Sequence, residues 1–177
     1  RHEYRYDERQ NLTGSTAFFW NSDNNNWVLN LREEREYDNA NRCIISVSYY
    51  RDRANNIWIG DQKSVFIYNT TGKIQKQTDF FWDASTLQWL ASFERNYTYD
   101  AQSSLLEWSV KQWDRDRKIW VDWWKVEHLL DASSNTIRSS DYQWNRLENK
   151  WDSGWKLERG YDNNQMTREA VYDWNKL

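Results

Sequence analysis

The sequence predicts an all-β fold, an antiparallel hairpin meander of about twelve strands built from 31-residue repeats. Two sets of residues that recur at this interval carry the prediction. The first is an Asx residue, preceded by Tyr in five of six cases, at Asp7, Asp38, Asn69, Asp100, Asp131 and Asp162. The second is an indole, at Trp27, Trp58, Trp89, Trp120 and Trp151. Self-similarity at a fixed period indicates a repeat architecture, so residues 1–177 are predicted to form a single array of about six repeats.

The composition indicates an ordered chain with an unusual core. Aromatic residues make up 18% of the chain, including 14 Trp, and Pro is absent, although the mean hydropathy is -1.12. Disordered segments are poor in aromatic residues and usually rich in Pro. Leu, Ile and Val are too sparse for a thick aliphatic core, so burial is expected from large rings whose polar edges stay in water.

The first strand of each repeat is recognised by alternation. From Trp89 to Tyr99, ring-bearing side chains such as Phe93 and Tyr97 occupy one parity, and mostly polar side chains occupy the other. Period-two alternation with aromatic enrichment predicts a half-buried strand, because a helix would repeat its apolar residues at intervals of three and four. The Asx residue that follows predicts a turn, since its side chain can bond the backbone two residues further on.

A second, more polar strand follows the turn, as in residues 12–20 and 74–82. It ends in Trp-Asp or Trp-Asn, with the indole at Trp20, Trp82, Trp113, Trp144 and Trp174, the last in the step Trp174-Asn175. A six-residue loop then leads to the next Trp. A hairpin across this loop therefore places Trp20 opposite Trp27, and the same symmetry holds for Trp82 with Trp89, Trp113 with Trp120, and Trp144 with Trp151.

The second repeat departs from this symmetry. Tyr50 and Trp58 are one residue out of step, for which a bulge is the expected remedy. Pairing through the Asx turns is expected to bring Trp27 near Tyr50. The aromatic rings would then form a ribbon that keeps one face of the sheet dry.

The short connections predict the order of the strands but do not decide the shape of the sheet. So wide a sheet is expected to coil into an elongated, solenoid-like form, with a closed barrel as the alternative. In the coiled form, the terminal edges are templates for further strands, so self-association or neighbouring repeats end to end are the expected partners. Because the chain starts and stops inside a repeat, it is expected to be a segment of a longer protein.

The residue inventory argues against several functional classes. A net charge of -3 with interspersed signs gives no nucleic-acid footprint, and no apolar run is long enough for membrane insertion. Cys43 is the single cysteine, and His2 and His128 lie far apart, so no metal-ligand spacing exists. No phosphate loop, nucleophile motif or carboxylate pair stands out. The prediction is a non-enzymatic protein without a metal or a cofactor.

Surface chemistry offers an alternative role. Exposed indoles flanked by Asp, Asn and Gln can stack on sugar rings, and the candidates for glycan contact are Trp123, Trp124 and Trp155. Trp123 and Trp124 are adjacent in a strand, so they are expected on opposite faces. Three sequons give candidate glycosylation sites at Asn11, Asn69 and Asn96.

The order Tyr-x-Tyr-Asp, then Trp-Asp and a downstream Trp, resembles two groups of repeat proteins. Tyr97-Thr98-Tyr99-Asp100 shares the Tyr-Asp turn of the YD repeats of bacterial surface and toxin-shell proteins, although their Gly-Arg-Tyr signature is missing here. Phe80-Phe81-Trp82-Asp83, with Trp89 downstream, is more similar to secreted Bacteroidota repeat proteins, many of them exported by the type IX system. This resemblance covers the whole chain and implies an extracellular or cell-surface location.

Two function hypotheses follow. The leading one is a non-enzymatic, secreted structural repeat protein that forms or decorates an extracellular filament or cell-surface layer. The alternative is an adhesin or glycan-binding module that uses exposed Trp and Tyr to bind polysaccharide.

Overall fold

The computed structural model describes residues 1–173 and shows an all-β chain with twelve strands in one antiparallel sheet. Strand order follows chain order, which confirms the predicted hairpin meander. The strands are β1 His2–Tyr6, β2 Leu12–Asn21, β3 Asn26–Tyr37, β4 Cys43–Asp52, β5 Ile57–Tyr68, β6 Ile74–Asp83, β7 Gln88–Tyr99, β8 Leu105–Asp114, β9 Ile119–Leu130, β10 Thr136–Asn145, β11 Lys150–Asp162 and β12 Gln165–Asp173. The predicted terminal step Trp174-Asn175 lies outside the described residues.

The closed-barrel alternative is wrong for the described chain. The strand order begins at β1 and ends at β12, and these two edge strands do not pair with each other. Contacts divide the described chain into two compact units, residues 1–67 with 77–92 and residues 68–76 with 93–173.

One class of loop, which we call the Asx loop, follows each odd-numbered strand up to β9 and is closed by its Asx side chain. In the first, Asp7 Oδ1 accepts hydrogen bonds from the backbone N–H groups of Arg9 (2.9 Å) and Asn11 (2.8 Å). The same pair of bonds forms at Asp38, Asn69, Asp100 and Asp131. The predicted Asx turn is therefore confirmed at these five positions, where it is extended by a second bond four residues on. The prediction is wrong at Asp162, which pairs with Gln165 across a tighter turn.

The left-handed backbone conformation recurs with the Asx loops, at Gln10, Asn41, Gly72, Ser103 and Ser134. The loop between β11 and β12 is shorter. Asn163 and Asn164 both have positive φ, 51° and 62°, as a two-residue hairpin turn of type I′ requires.

The other loops join the Trp-ended strands, and their indole pairs confirm the prediction. Trp20 pairs with Trp27, with ring centroids 5.3 Å apart and an interplanar angle of 69°. Edge-to-face contacts of 5.0–5.2 Å also join Trp82 with Trp89, Trp113 with Trp120, and Trp144 with Trp151. Rings at such distances and angles attract beyond their shared burial.

The second repeat resolves its mismatch without a bulge at the hairpin end. Arg51 lies opposite Trp58, and its guanidinium carbon is 5.3 Å from the centroid of that indole ring. Tyr50 lies opposite Ile59 in one hairpin and opposite Leu31 in the other. The expected approach of Tyr50 to Trp27 is therefore wrong, because this register separates them by four positions along β3.

A bulge interrupts the long odd-numbered strands at a recurring position. The register shift leaves the extra residue at Asn30 in β3, Asp61 in β5 and Trp123 in β9. In β11 the shift spans Gly154 and Trp155. A bulge re-aims the side chains around it, which decides the geometry of the site below.

The expected dry aromatic face is wrong. None of the described side chains is fully buried, and the most buried apolar residues are Val47, Val110 and Val126. Trp20 and Trp27 stay 49% and 45% exposed. The described chain forms a single sheet without a second layer, so its rings shield one another and the adjacent backbone.

Candidate functional site

A tyrosine hydroxyl ties one repeat to the repeat before it. Tyr99 Oη donates to the carbonyl oxygen of Ile74 at 2.8 Å, and Ile74 is the first residue of β6. The same bond, always spanning 25 residues, joins Tyr37 to Leu12 (3.0 Å) and Tyr161 to Thr136 (3.3 Å). Burial raises the pKa of Tyr99, which keeps the phenol in its donor form. We call this contact the tyrosine clamp.

At two positions of this series, Leu130 and Tyr6, the described chain does not form the clamp bond. Leu130 stands where the fifth repeat would place its Tyr, and its side chain has no donor for the carbonyl of Leu105. Tyr6 precedes every described acceptor and is 57% exposed. Sequence reasoning found the Tyr set but not its partner. The available signal was that a partly buried phenol usually finds an acceptor.

The second feature is an aromatic cleft in the fourth repeat. Trp123, Trp124, Asp141 and Gln143 line a cleft of about 300 Å³. The prediction that Trp123 and Trp124 point to opposite faces is wrong in this respect, because both side chains line the same cleft. The physical reason is the β9 bulge, in which Trp123 is the extra residue and strand alternation is suspended.

Each indole in this Trp123 cleft has a defined support. Trp123 stacks on Phe93 with centroids 5.1 Å apart and planes at 26°, yet remains 42% exposed. Trp124 meets Trp108 edge-on at 4.7 Å, and its Nε1 donates to Asp141 Oδ2 at 3.1 Å. Trp123 is thus open to solvent beside the carboxylate of Asp141, which is fixed by the indole of Trp124.

Trp155 approaches the same carboxylate from β11. Its backbone N–H donates to Asp141 Oδ1, and its side chain, 36% exposed, lines a neighbouring cleft that also includes Asp141. Gly154 permits this approach, because a Cβ there would lie 2.5 Å from Asp141 Oδ1. The structure therefore places Trp123 and Trp124 in one cleft and Trp155 in a neighbouring one, and Asp141, a residue that sequence reasoning did not single out, lines both.

The repeats show that the fold does not require Trp123. At 31-residue intervals, its position is held by Asn30, Asp61, Ser92 and Gly154. The position of Asp141 is held by Ala17, Ser48, Asp79 and Val110. The Trp–Asp combination occurs only in the fourth repeat of residues 1–173.

The candidate glycosylation sites differ in how far their amides are engaged. Asn11 Nδ2 donates to Asp7 Oδ2 and Asn41 Oδ1, and Asn96 Nδ2 donates to Glu94 Oε1 at 3.1 Å. Asn69 uses its Oδ1 to close an Asx loop, and its amide nitrogen takes no part in those bonds. Of the three, Asn69 has the most suitable geometry, and modification at all three remains a prediction.

The remaining titratable groups have local structural roles. The Cys43 thiol donates to the carbonyl of Ile45 at 3.2 Å, and burial raises its pKa. His128 Nδ1 lies 2.9 Å from Ser139 Oγ, and burial lowers the pKa of the imidazole. Within residues 1–173, no group of three or more His, Cys, Asp or Glu side chains is placed to hold a metal ion. That part of the chain also contains no helix long and apolar enough to span a bilayer.

Together these features define an all-β repeat protein made of one hairpin-connected sheet. No protein-family model and no curated protein matches the chain. Among solved structures, it is similar to a Bacteroides fragilis protein of unknown function, with 15% identity and a TM-score of 0.55 over 80% of this chain and 91% of that one. A DUF3836 family protein from Parabacteroides distasonis matches with 20% identity and a TM-score of 0.42 over 59% of this chain and 81% of that one.

A larger neighbour is the TcdB2-TccC3-TEV structure. It matches 96% of this chain but 9% of its own, with 12% identity and a TM-score of 0.51. At these identities the likeness to the Bacteroides fragilis protein and to TcdB2-TccC3-TEV shows a shared fold alone.

Proposed function

We propose that the chain is a non-enzymatic, secreted structural repeat protein that forms or decorates an extracellular filament or cell-surface layer. The tyrosine clamp is the observation that carries the proposal. Each clamp donor satisfies a carbonyl of the repeat before it, so repeats stabilise their neighbours in sequence. A further repeat, from the same protein or from another molecule, can extend this pattern at an edge strand.

The two described edges are complementary when the internal register is carried over to them. In the β10–β11 pair, Arg138 lies opposite Glu158. The equivalent edge residues are Arg168 on β12 and Glu3 on β1, so joining the edges places opposite charges face to face. The hydroxyl of Tyr6, at the clamp position, would meet the carbonyl of Met166, which stands where Thr136 stands one repeat earlier.

Arg138 and Arg168 are 30 residues apart, one fewer than the repeat length, and this difference has a structural cause. Tyr161 pairs with Met166 five residues on, whereas Leu130 pairs with Thr136 six residues on. Equivalent positions in β10 and β12 therefore differ by 30 rather than 31. Opposite charges directly across an antiparallel pair stabilise it, and like charges destabilise it. The edges therefore favour head-to-tail addition in one register.

Charge reversal tests this assembly. We expect the 177-residue polypeptide to associate with rising concentration in sedimentation velocity, and to form regular fibres in electron microscopy. Glu3→Arg and Arg168→Glu should each weaken association roughly fivefold to tenfold, and the double variant should restore it. Tyr6→Phe should weaken it too, whereas Tyr4→Phe, equally exposed on β1, should not.

A monomer at every concentration would refute the assembly. Location needs its own test, which is protease shaving of intact producer cells. Digestion of the protein while cytoplasmic markers survive is the expected result. Protection of the protein until the cells are lysed would contradict a surface role.

A glycan-binding role is the second candidate, favoured by the cleft that Trp123 and Trp124 form with Asp141. We expect calorimetric titration with a panel of polysaccharides to give a saturable heat. Trp123→Ser should abolish that heat, and it places at the bulge the residue that the chain itself has at Ser92. Trp20→Ser, at a similarly exposed indole outside the cleft, is the matched control and should leave binding unchanged.

A further inference from the structure

We propose that the Trp123 cleft selects glycans by charge: it binds amino sugars most tightly, neutral sugars less tightly, and excludes acidic sugars. The inference rests on the proposed glycan-binding role and adds the class of sugar. It follows from the charge of the cleft, from the open indole face, and from the absence of this Trp–Asp combination in the other described repeats.

The charge of the cleft is negative. Of the described residues, Asp141 is the one ionisable residue that lines it, beside Trp123, Trp124 and Gln143. Both hydrogen bonds that hold Asp141 come from neutral donors, the Trp124 indole and the Trp155 backbone amide. Neutral donors fix a carboxylate without cancelling its charge.

The nearest cations on the far side of Asp141 have other partners. Arg138 and Lys156 line the neighbouring cleft. Lys156 Nζ lies 3.0 Å from Glu158 Oε1 and 4.3 Å from the ring centroid of Tyr172, and Arg138 lies opposite Glu158 in the strand register. The Trp123 cleft therefore presents a carboxylate and an amide, while the ammonium of Lys156 in the neighbouring cleft is paired with Glu158.

The open indole supplies the complementary surface. One face of Trp123 is covered by Phe93, and the side chain remains 42% exposed. An indole face attracts a cation as well as the apolar face of a sugar ring. A carboxylate has about four acceptor positions, and the protein uses two on Asp141. The free positions can accept hydrogen bonds from an ammonium or from hydroxyl groups, whereas a sugar carboxylate would meet a like charge.

The other repeats show that the fold does not require Trp123 and Asp141 at these positions. A repeat built with Ser92 and Val110, or with Asn30 and Ser48, forms the same strands. Residues that depart from a structural pattern without a structural reason are where function is expected.

The test compares three oligosaccharides of equal length by calorimetry at about pH 6: oligomers of glucosamine, of N-acetylglucosamine and of galacturonate. For the full chain, we expect glucosamine to bind at least about tenfold tighter than the neutral oligomer, and galacturonate to give no saturable heat. Asp141→Asn keeps an acceptor for Trp124, so the fold should hold. It should reduce the preference for glucosamine to less than about threefold.

The outcomes separate the two claims. If no oligomer binds, or if binding survives Trp123→Ser in a variant with the wild-type melting temperature, the glycan-binding role itself is wrong. If binding depends on Trp123 but galacturonate binds as tightly as glucosamine, the role stands and the charge selection is wrong. Charge selection at Asp141 is also wrong if Asp141→Asn leaves the ranking unchanged.

Discussion

The Trp20–Trp27 and Trp82–Trp89 hairpins have nearly the same ring geometry but different surroundings. Their centroid distances are 5.3 and 5.2 Å and their interplanar angles are 69° and 72°. The first pair is about half exposed, whereas both residues of the second pair are partly buried.

The difference comes from the preceding repeat. The Trp82 and Trp89 rings lie over Gly60, and Trp89 also meets Tyr49 at 6.1 Å. Sequence symmetry gives the two hairpins the same ring geometry, and contact with an earlier repeat buries the Trp82–Trp89 pair more deeply. Repeat proteins gain stability from such interfaces between neighbours.

Trp89→Ala is the variant with the largest expected effect on this comparison. We expect it to lower the free energy of unfolding by about 3 kcal/mol, near the low end for a truncated indole in a packed site. Trp27→Ala removes the same ring from an exposed pair and should cost about 1 kcal/mol. Urea unfolding followed by far-UV circular dichroism measures both. Equal losses would show that packing on the preceding repeat adds nothing.

Gly60→Ala tests the interface from the other side. A Cβ at this position would lie 2.7 Å from atoms of the Trp82 and Trp89 rings, so the rings must shift. We expect a loss of about 1–3 kcal/mol, as in other overpacked sites. Gly160→Ala is the control, because its Cβ would meet no atom closer than 3.5 Å. The comparison fails if Gly60→Ala unfolds at the same urea concentration as Gly160→Ala.

The tyrosine clamp predicts a smaller difference. Tyr99→Phe removes only the hydroxyl that bonds Ile74 and should cost about 1 kcal/mol. Tyr6→Phe should cost nothing, because the described chain offers it no acceptor. Leu130→Tyr should gain a similar amount by restoring the missing clamp. Stability unaffected by Tyr99→Phe would remove the clamp as a contact between repeats.

Acid should loosen the Asx loops. Hydrogen bonds from Arg42 and Ala40 hold the pKa of Asp38 below its usual value. A carboxyl with a lowered folded-state pKa stabilises the protein above its unfolded-state pKa, and that contribution is lost as the pH falls below about 4. Asp38→Asn should therefore reduce the loss of stability between pH 7 and pH 3. An equal loss of stability between pH 7 and pH 3 in Asp38→Asn and in the wild-type chain would contradict the assignment.

The strands and turns were predictable because their causes are local. Alternation from Trp89 to Tyr99 identifies a strand, and an Asx residue at a fixed interval closes a turn with its own backbone. The indole pairs followed from loop symmetry, which fails in the second repeat, where Arg51 rather than Tyr50 lies opposite Trp58. The Trp123 cleft was only partly predictable, since the indoles were recognised as exposed but Asp141 was not.

The sequence by itself determined the all-β class, the repeat, the hairpin order and the opposed indoles, since each depends on residues close along the chain. Tertiary structure alone decided three features: the bulge that turns Trp123 beside Trp124, the carbonyl that each clamp tyrosine reaches, and the packing of Trp89 over Gly60. The physical reason is that these features depend on a bulge and on where a side chain reaches on a neighbouring strand, which alternation along a single strand does not specify.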